Sequence, residues 1–293
     1  MQKISPICSD TVVGTDPHEW IPVNFKNFLR ELDHIIKSCE GNRPLFRGHA
    51  DSRWLLESSF VRTCKKLLLD IESHISPSKD IRESVEYHQA LFGLLLLKFD
   101  VLVRPSNDLR NLEEKEHIDA MFEMMKRMQQ YPEGDTAALK GTFFIDWSQK
   151  KDIGIFFATF DANEHCIKNR ETDGALFICD KTATGKTLQI IRVAEIIEKL
   201  IEAQNESRVF GCPLLFYPPK QILSQRATNQ DAIYWAQMDL RYDLEYIWKL
   251  QEKKGANKDQ YIFIRLILPY ESKKESSEYL TAQKITHNYL FEK

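Results

Sequence analysis

Residues 44–62, PLFRGHADSRWLLESSFVR, constrain the fold of this chain most strongly. The apolar start favours a β-strand that ends at Arg47 and Gly48, a polar turn follows, and residues 54–56 predict a second short strand. A guanidinium that a sheet holds at a strand end can bind a phosphate or a carboxylate through two parallel hydrogen bonds. Arg47 is therefore a candidate anion-binding residue. The alternative is an ordinary surface arginine beside a turn glycine.

A second segment, residues 141–160, has a similar form. Residues 141–145 predict a strand, Asp146, Trp147 and Ser148 predict a polar corner, and residues 149–160 have apolar side chains at helical spacing. Polar side chains at such a corner can line a cleft. Asp146 can equally be the N-cap of the following helix, and Trp147 can equally pack in the core.

The remaining pattern predicts an α+β fold. Further helices are predicted at about 24–40, 64–71, 80–103, 113–130, 192–204 and 240–250, and further strands at 174–179, 213–216 and 261–268. We expect residues 1–22 to form an irregular surface arm and residues 23–293 to form one domain, with a helical insertion at about 63–130.

Composition and motifs argue against several classes of protein. The net charge of −3 gives no overall positive field for nucleic acid or membranes, and the apolar block at residues 91–97 is too short for a membrane span. The six cysteines lack zinc-ligand spacing and indicate reduced thiols in a cytoplasmic protein. The absence of GxGxxG, Walker A, HExxH and nucleophile-elbow motifs argues against Rossmann, P-loop, zinc-hydrolase and α/β-hydrolase chemistry.

Three short signatures, in order, resemble the FRG domain family. The first is FRG followed by Trp54, Leu56, Ser59 and Arg62, and the second is TFFIDWSQKKDIGIFFA. In the third, Arg226, Gln230 and Tyr234 or Trp235 stand at the family's positions. The chain departs from the family's pattern at Phe143, where an arginine is common, at 129–131, where a histidine and a glycine are usual, and at 231–232, where Gln-Gly is more usual.

The order of these signatures is similar to that of ADP-ribosyltransferases. The resemblance implies an α+β core with a mixed or split sheet, flanking helices, NAD as substrate and no metal. It also implies catalytic roles for Arg47, Asp146 and Gln230, with Gln230 where a glutamate is most frequent. The residues expected to bind NAD are Phe46, Arg47, Gly48, His49, Trp147, Ser148, Arg226 and Tyr234. His49 is in addition a candidate base, or a solvated turn residue.

Two functions follow from this resemblance. The first is a mono-ADP-ribosyltransferase of the toxin or phage-defence type, with an antitoxin or another restraining partner and no membrane partner. Its acceptor is a nucleic acid or a protein, with a preference for a nucleic-acid base because Trp147 and Tyr234 could stack on one. The second is a non-catalytic module that binds a nucleotide or a partner, which Phe143 and the uncharged Gln230 would favour.

Overall fold

The fold is described from a computed structural model. It describes residues 1–39, 44–72, 84–103, 120, 123–129, 131, 134–135, 139–160, 171–180, 187–188, 214–216, 225–237, 239–254 and 260–291. The predicted helix at 192–204 lies outside these residues, as does most of the helix predicted at 113–130, of which 123–129 are helical.

Nine strands of the described chain form one mixed sheet, which confirms the α+β class. The strands are β1 (Val12–Val13), β2 (Glu19–Ile21), β3 (Leu45–His49), β4 (Phe144–Ser148), β5 (Gly174–Cys179), β6 (Thr187–Leu188), β7 (Leu214–Phe216), β8 (Ala232–Ala236) and β9 (Phe263–Leu268). Their order is β1-β2-β9-β5-β3-β4-β8-β7-β6. The β2–β9 and β6–β7 pairs are parallel, and the other pairs are antiparallel.

The sheet has two halves, which are joined where one residue of β3 pairs with one residue of β4. Strands β3 and β4 are paired at Phe46 and Ser148, whereas β3 pairs along its whole length with β5, and β4 along its whole length with β8. The backbones of β3 and β4 therefore separate on the side of this pair that contains Arg47. Polar side chains that point into this opening lie between the two halves of the sheet.

Helices cover both faces of the sheet. They are α1 (Phe25–Ser38), α2 (Ser59–Glu72), α3 (Val85–Val103), α4 (Lys151–Thr159), α5 (Gln225–Asn229), α6 (Leu244–Lys254), α7 (Lys273–Ala282) and α8 (His287–Phe291), with a 3-10 turn at Tyr270–Ser272. Helices α1, α4, α7 and α8 share one core cluster with β3, β5 and β9, and α6 packs on the opposite face. Helices α2 and α3 lie between β3 and β4 in the chain and pack on β4 and β8. No helix of the described chain is both long and apolar enough to cross a membrane.

Helix α4 lies very close to the sheet because glycines stand where the two meet. A Cβ added at Gly48 would lie 2.0 Å from the Gly154 carbonyl oxygen and 2.3 Å from the Ala158 nitrogen. A Cβ added at Gly174 would lie 2.1 Å from the Ala158 carbonyl oxygen. Gly48 is one of the residues that the family resemblance implies for NAD binding, but the structure gives its glycine a packing reason. Its missing side chain makes room for α4.

Three sequence-based predictions of local structure need correction. Residues 1–22 are not an irregular arm, because β1 and β2 extend the sheet and β2 pairs with β9. Residues 54–56 form a bend and not a strand, with Trp54 and Leu55 exposed and Leu56 buried. The strand predicted at 141–145 lies at Phe144–Ser148, so Asp146, Trp147 and Ser148 belong to the strand and not to a corner after it.

Candidate functional site

Arg47 lies in the opening between β3 and β4 and is held by two hydrogen bonds. Its Nη1 donates to the main-chain oxygen of Asp146 at 2.6 Å, and its Nε donates to Nε2 of His49 at 3.0 Å. The first bond crosses from one half of the sheet to the other. Burial lowers the pKa of Arg47 to about 10; Asp146 opposes this shift and Arg62 adds to it. Arg47 is thus a fixed, partly buried cation.

His49 orients the Arg47 guanidinium. Its Nδ1 lies 3.2 Å from the main-chain oxygen of Trp54, so this nitrogen carries the proton and Nε2 is the acceptor for Arg47. Burial lowers the pKa of His49 well below 6.5, and the charges of Arg47 and Arg62 lower it further. Both ring nitrogens are engaged and the ring is neutral. The structure therefore corrects the prediction of His49 as a base or a solvated residue, since it positions Arg47 instead.

Asp146 is a half-buried residue, and one of its carboxylate oxygens, Oδ1, is buried. Its Oδ2 accepts a hydrogen bond from Nε2 of Gln129 at 2.5 Å, whereas Oδ1 has no partner among the described residues. Burial raises the pKa of Asp146 above 3.8, and nearby Arg47 offsets only part of this shift. Asp146 is not the N-cap of α4, because it lies within β4 and the N-cap of α4 is Lys150. The Ser148 hydroxyl accepts a hydrogen bond from the Lys150 N–H at 3.0 Å.

Arg62 is a site residue that the sequence argument did not single out. It lies on α2, its Nη1 donates to the Glu57 carbonyl at 2.6 Å, and burial lowers its pKa. Its positive charge lowers the pKa values of Arg47, His49 and Asp146. The charge of Arg226 also lowers the pKa of Asp146. The first signature contains Arg62 at the family's spacing after FRG, so the sequence did offer a sign of its importance. Its place in a helical segment gave no reason to expect it near Arg47.

Several predicted ligand-binding residues are core residues. Phe46, Trp147 and Tyr234 are 4%, 2% and 2% exposed, and the Trp147 ring lies 5.7 Å from that of Trp248. Their assignment to the wall of a cleft is therefore corrected to core packing, which is the usual place for large aromatic side chains in strands. The Ser148 hydroxyl donates to the main-chain oxygen of Gln230 at 2.7 Å and so joins β4 to the third signature.

Gln230 and Arg226 contact the C-terminal helix α8. The Gln230 side chain is buried and its Nε2 donates to the Leu290 carbonyl at 3.3 Å, and the Arg226 guanidinium lies 4.4 Å from the Phe291 ring centroid. Within the described residues, no hydrogen bond joins the Gln230 side chain to Arg47 or Asp146. The structure thus brings Arg47 and Asp146 together as predicted, and it places the Gln230 amide in a structural contact.

Two further findings concern metal ions and known proteins. Among the described residues, no group of three or more His, Cys, Asp or Glu side chains could hold a metal ion. No protein-family model matches the chain, and no curated protein or solved structure matches it either. Function is therefore inferred from the geometry of the site.

Proposed function

We propose that this protein is a mono-ADP-ribosyltransferase that binds NAD where the two halves of the sheet separate. The observation that supports this most is the Asp146 carboxylate, whose Oδ1 is buried without a partner among the described residues, close to the Arg47 and Arg62 guanidiniums. Such a group is costly to bury unless something binds it. The three signatures that resemble the FRG domain family, in an order similar to that of ADP-ribosyltransferases, support the same function.

The charges suit a dinucleotide. Arg47 and Arg62 are two cations close to the Asp146 carboxylate, Glu57 acts on Arg62 as well, and guanidinium groups bind phosphate strongly. The partial burial of Arg47 and Asp146 strengthens their interaction with a bound ligand. In the proposed complex Arg47, oriented by His49, therefore holds the pyrophosphate, and Asp146 lies beside the ribose that carries nicotinamide.

The reaction requires a negative charge near this ribose. When the bond from ribose C1′ to the nicotinamide nitrogen breaks, nicotinamide leaves with the bonding electrons and positive charge develops on the ribose. In this proposal the Asp146 carboxylate stabilises that charge, and Oδ1, which has no hydrogen-bond partner among the described residues, accepts a hydrogen bond from a ribose hydroxyl. The acceptor nucleophile then bonds to C1′ and gives its proton to Asp146, whose raised pKa suits this role.

The acceptor is a macromolecule in this proposal. Because Trp147 and Tyr234 are buried, stacking on them gives no reason to prefer nucleic acid to protein. An enzyme that modifies cellular macromolecules needs a restraint, and we propose an antitoxin or another restraining partner, as the family resemblance implies.

The test uses NAD labelled in its adenylate half. The purified protein is incubated with this NAD and, separately, with total RNA, DNA and lysate protein, and transfer of label is measured. Arg47→Ala and Asp146→Asn should abolish transfer, because they remove the pyrophosphate cation and the charge beside the ribose. Arg30→Ala, at an exposed position on α1, is the control and should leave transfer unchanged. NAD that binds to the wild type but is neither transferred nor cleaved with any acceptor would refute catalysis.

A non-catalytic nucleotide-binding module is the second candidate. The contact between the Gln230 amide and Leu290 favours it, because among the described residues the Gln230 side chain then makes no hydrogen bond to Arg47 or Asp146. Isothermal titration with NAD distinguishes the two functions. Binding that Arg47→Ala weakens, without label transfer, supports the module.

A further inference from the structure

Trp54 differs from the other tryptophans of this chain. The chain has five, and Trp20, Trp147, Trp235 and Trp248 are at most 2% exposed, whereas Trp54 is 47% exposed. An isolated exposed aromatic side chain needs no special explanation. Trp54 does, because His49 connects it to the Arg47 guanidinium.

A row of three rings leads from the core to the surface beside Arg47. Phe177, which is fully buried, contacts the His49 ring edge to face at 5.2 Å between centroids, and the His49 ring lies 6.1 Å from the indole of Trp54. The middle ring, His49, accepts the hydrogen bond from Arg47 Nε. The exposed indole is therefore one ring away from the guanidinium proposed to hold the pyrophosphate.

The loop that carries Trp54 is fixed at several points. The Ser52 N–H donates to the Asp173 carbonyl at 2.7 Å, and Arg265 donates to the Ser52 carbonyl at 2.7 Å. The Trp54 N–H donates to Asp51 at 3.1 Å, and its carbonyl accepts from His49. A half-exposed indole on a loop this constrained is already ordered, so a ligand that stacks on it loses little conformational entropy.

We propose that Trp54 stacks on a planar heterocycle of the dinucleotide whose pyrophosphate is held by Arg47. This inference rests on the proposed function and adds a residue that determines affinity for the base. The heterocycle is either adenine or nicotinamide, which share the flat π-surface that an indole recognises. The Trp54 side chain would contact the ligand, whereas its carbonyl accepts the hydrogen bond from His49, so truncating the side chain removes the ring contact and leaves that hydrogen bond in place.

The first measurement uses the wild-type protein alone. Acrylamide quenches the fluorescence of exposed tryptophans, and Trp54 is the exposed one of the five. Saturating NAD should reduce this quenching. ADP-ribose, which lacks nicotinamide, and nicotinamide mononucleotide, which lacks adenine, identify the ring, because the ligand that keeps the stacked heterocycle should retain the protection.

The second measurement is the affinity for NAD by isothermal titration. Trp54→Ala should weaken binding by about 5- to 150-fold, the range for loss of one base stack, and Trp54→Phe should retain most of the affinity. Leu97→Ala is the control, since Leu97 is 57% exposed on α3 and its truncation should change nothing.

The outcomes separate the two proposals. NAD binding with unchanged quenching, or Trp54→Ala binding as tightly as the wild type, would overturn the role of Trp54 and leave the proposed function standing. Failure of the wild type to bind NAD at all would overturn the proposed function, and the stacking role with it.

Discussion

Replacing Gly48 by alanine should destabilise the fold, because the added methyl group has no space under α4. Its Cβ would lie 2.0 Å from the Gly154 carbonyl oxygen, 2.3 Å from the Ala158 nitrogen and 2.6 Å from the Phe157 carbonyl carbon. All three atoms are backbone, so no side chain can rotate away. Relieving contacts below about 3 Å means moving α4 outward by about 1 Å, which loosens its packing on β3 and β5. Overpacking of this kind costs about 1–3 kcal/mol, and we expect the upper end because backbone must move.

Urea unfolding of Gly48→Ala, followed by circular dichroism, measures this cost as a lower midpoint at unchanged slope. Gly93→Ala is the matched control. Gly93 lies in α3 with no atom within 4 Å of its added Cβ, so alanine there should raise the free energy of unfolding by about 0.5–1 kcal/mol through helix propensity alone. If Gly48→Ala were as stable as the wild type and lost only NAD affinity, the glycine would serve ligand access and the packing explanation would be wrong.

Three further predictions concern pH and backbone conformation. The kcat/KM of transfer should rise with pH through the pKa of Asp146, which burial raises above 3.8, and should fall near the Arg47 pKa of about 10. A kcat/KM that rises with an apparent pKa of 3.8 would contradict this prediction. Burial lowers the pKa of His18, but hydrogen bonds to Glu252 and Asp16 raise it more, so the pKa in the folded protein lies above 6.5. Protonated His18 therefore stabilises the fold fully below pH 6.5, and this stabilisation is lost as the pH rises through the folded-state pKa. His18→Gln should therefore cost more unfolding free energy at about pH 6 than at about pH 9, and an equal cost would refute the pairing. Asp231 has φ 46, so in urea unfolding Asp231→Gly should be tolerated whereas Asp231→Val should lose about 1–2 kcal/mol.

Elements with strong local signals were predictable from sequence. Helix α1 begins where Asn24 predicts an N-cap, and the Asn24 side chain accepts from the Asn27 N–H at 2.9 Å. Strands β5 and β9 were found as apolar runs because both lie in the middle of the sheet and are covered on both faces. In these cases the residues of one element carry enough information to define it.

The register of β4 depends on partners far away in sequence. Asp146 looks like a residue that ends a strand, but it pairs with Tyr234 of β8 in the interior of the ladder. Its main-chain oxygen accepts from Arg47 across the opening in the sheet, and its Oδ2 accepts from Gln129. No local pattern shows that a carboxylate in a strand will find these partners. For the same reason Arg62 was missed, and Gln230 was given a role that its contact with Leu290 does not support.

The contacts of Arg47 and Asp146 differ from those of a structural salt bridge. In a pair kept for stability, the guanidinium and the carboxylate bond to each other, because burying either charge alone is costly. Here Arg47 donates to the main-chain oxygen of Asp146, and no ion pair within the described residues joins the two side chains, while Oδ1 of Asp146 has no partner. A second cation, Arg62, also acts on Arg47, and the charge of Glu57 acts on Arg62 in turn. A guanidinium that donates only to neutral groups, beside a carboxylate oxygen that has no hydrogen-bond partner, is an unfavourable arrangement for the empty protein, as far as the described residues show. It becomes favourable when a ligand supplies an anion to the guanidiniums and a hydroxyl group to Asp146, which is what the two ends of the ribose-pyrophosphate unit of NAD provide.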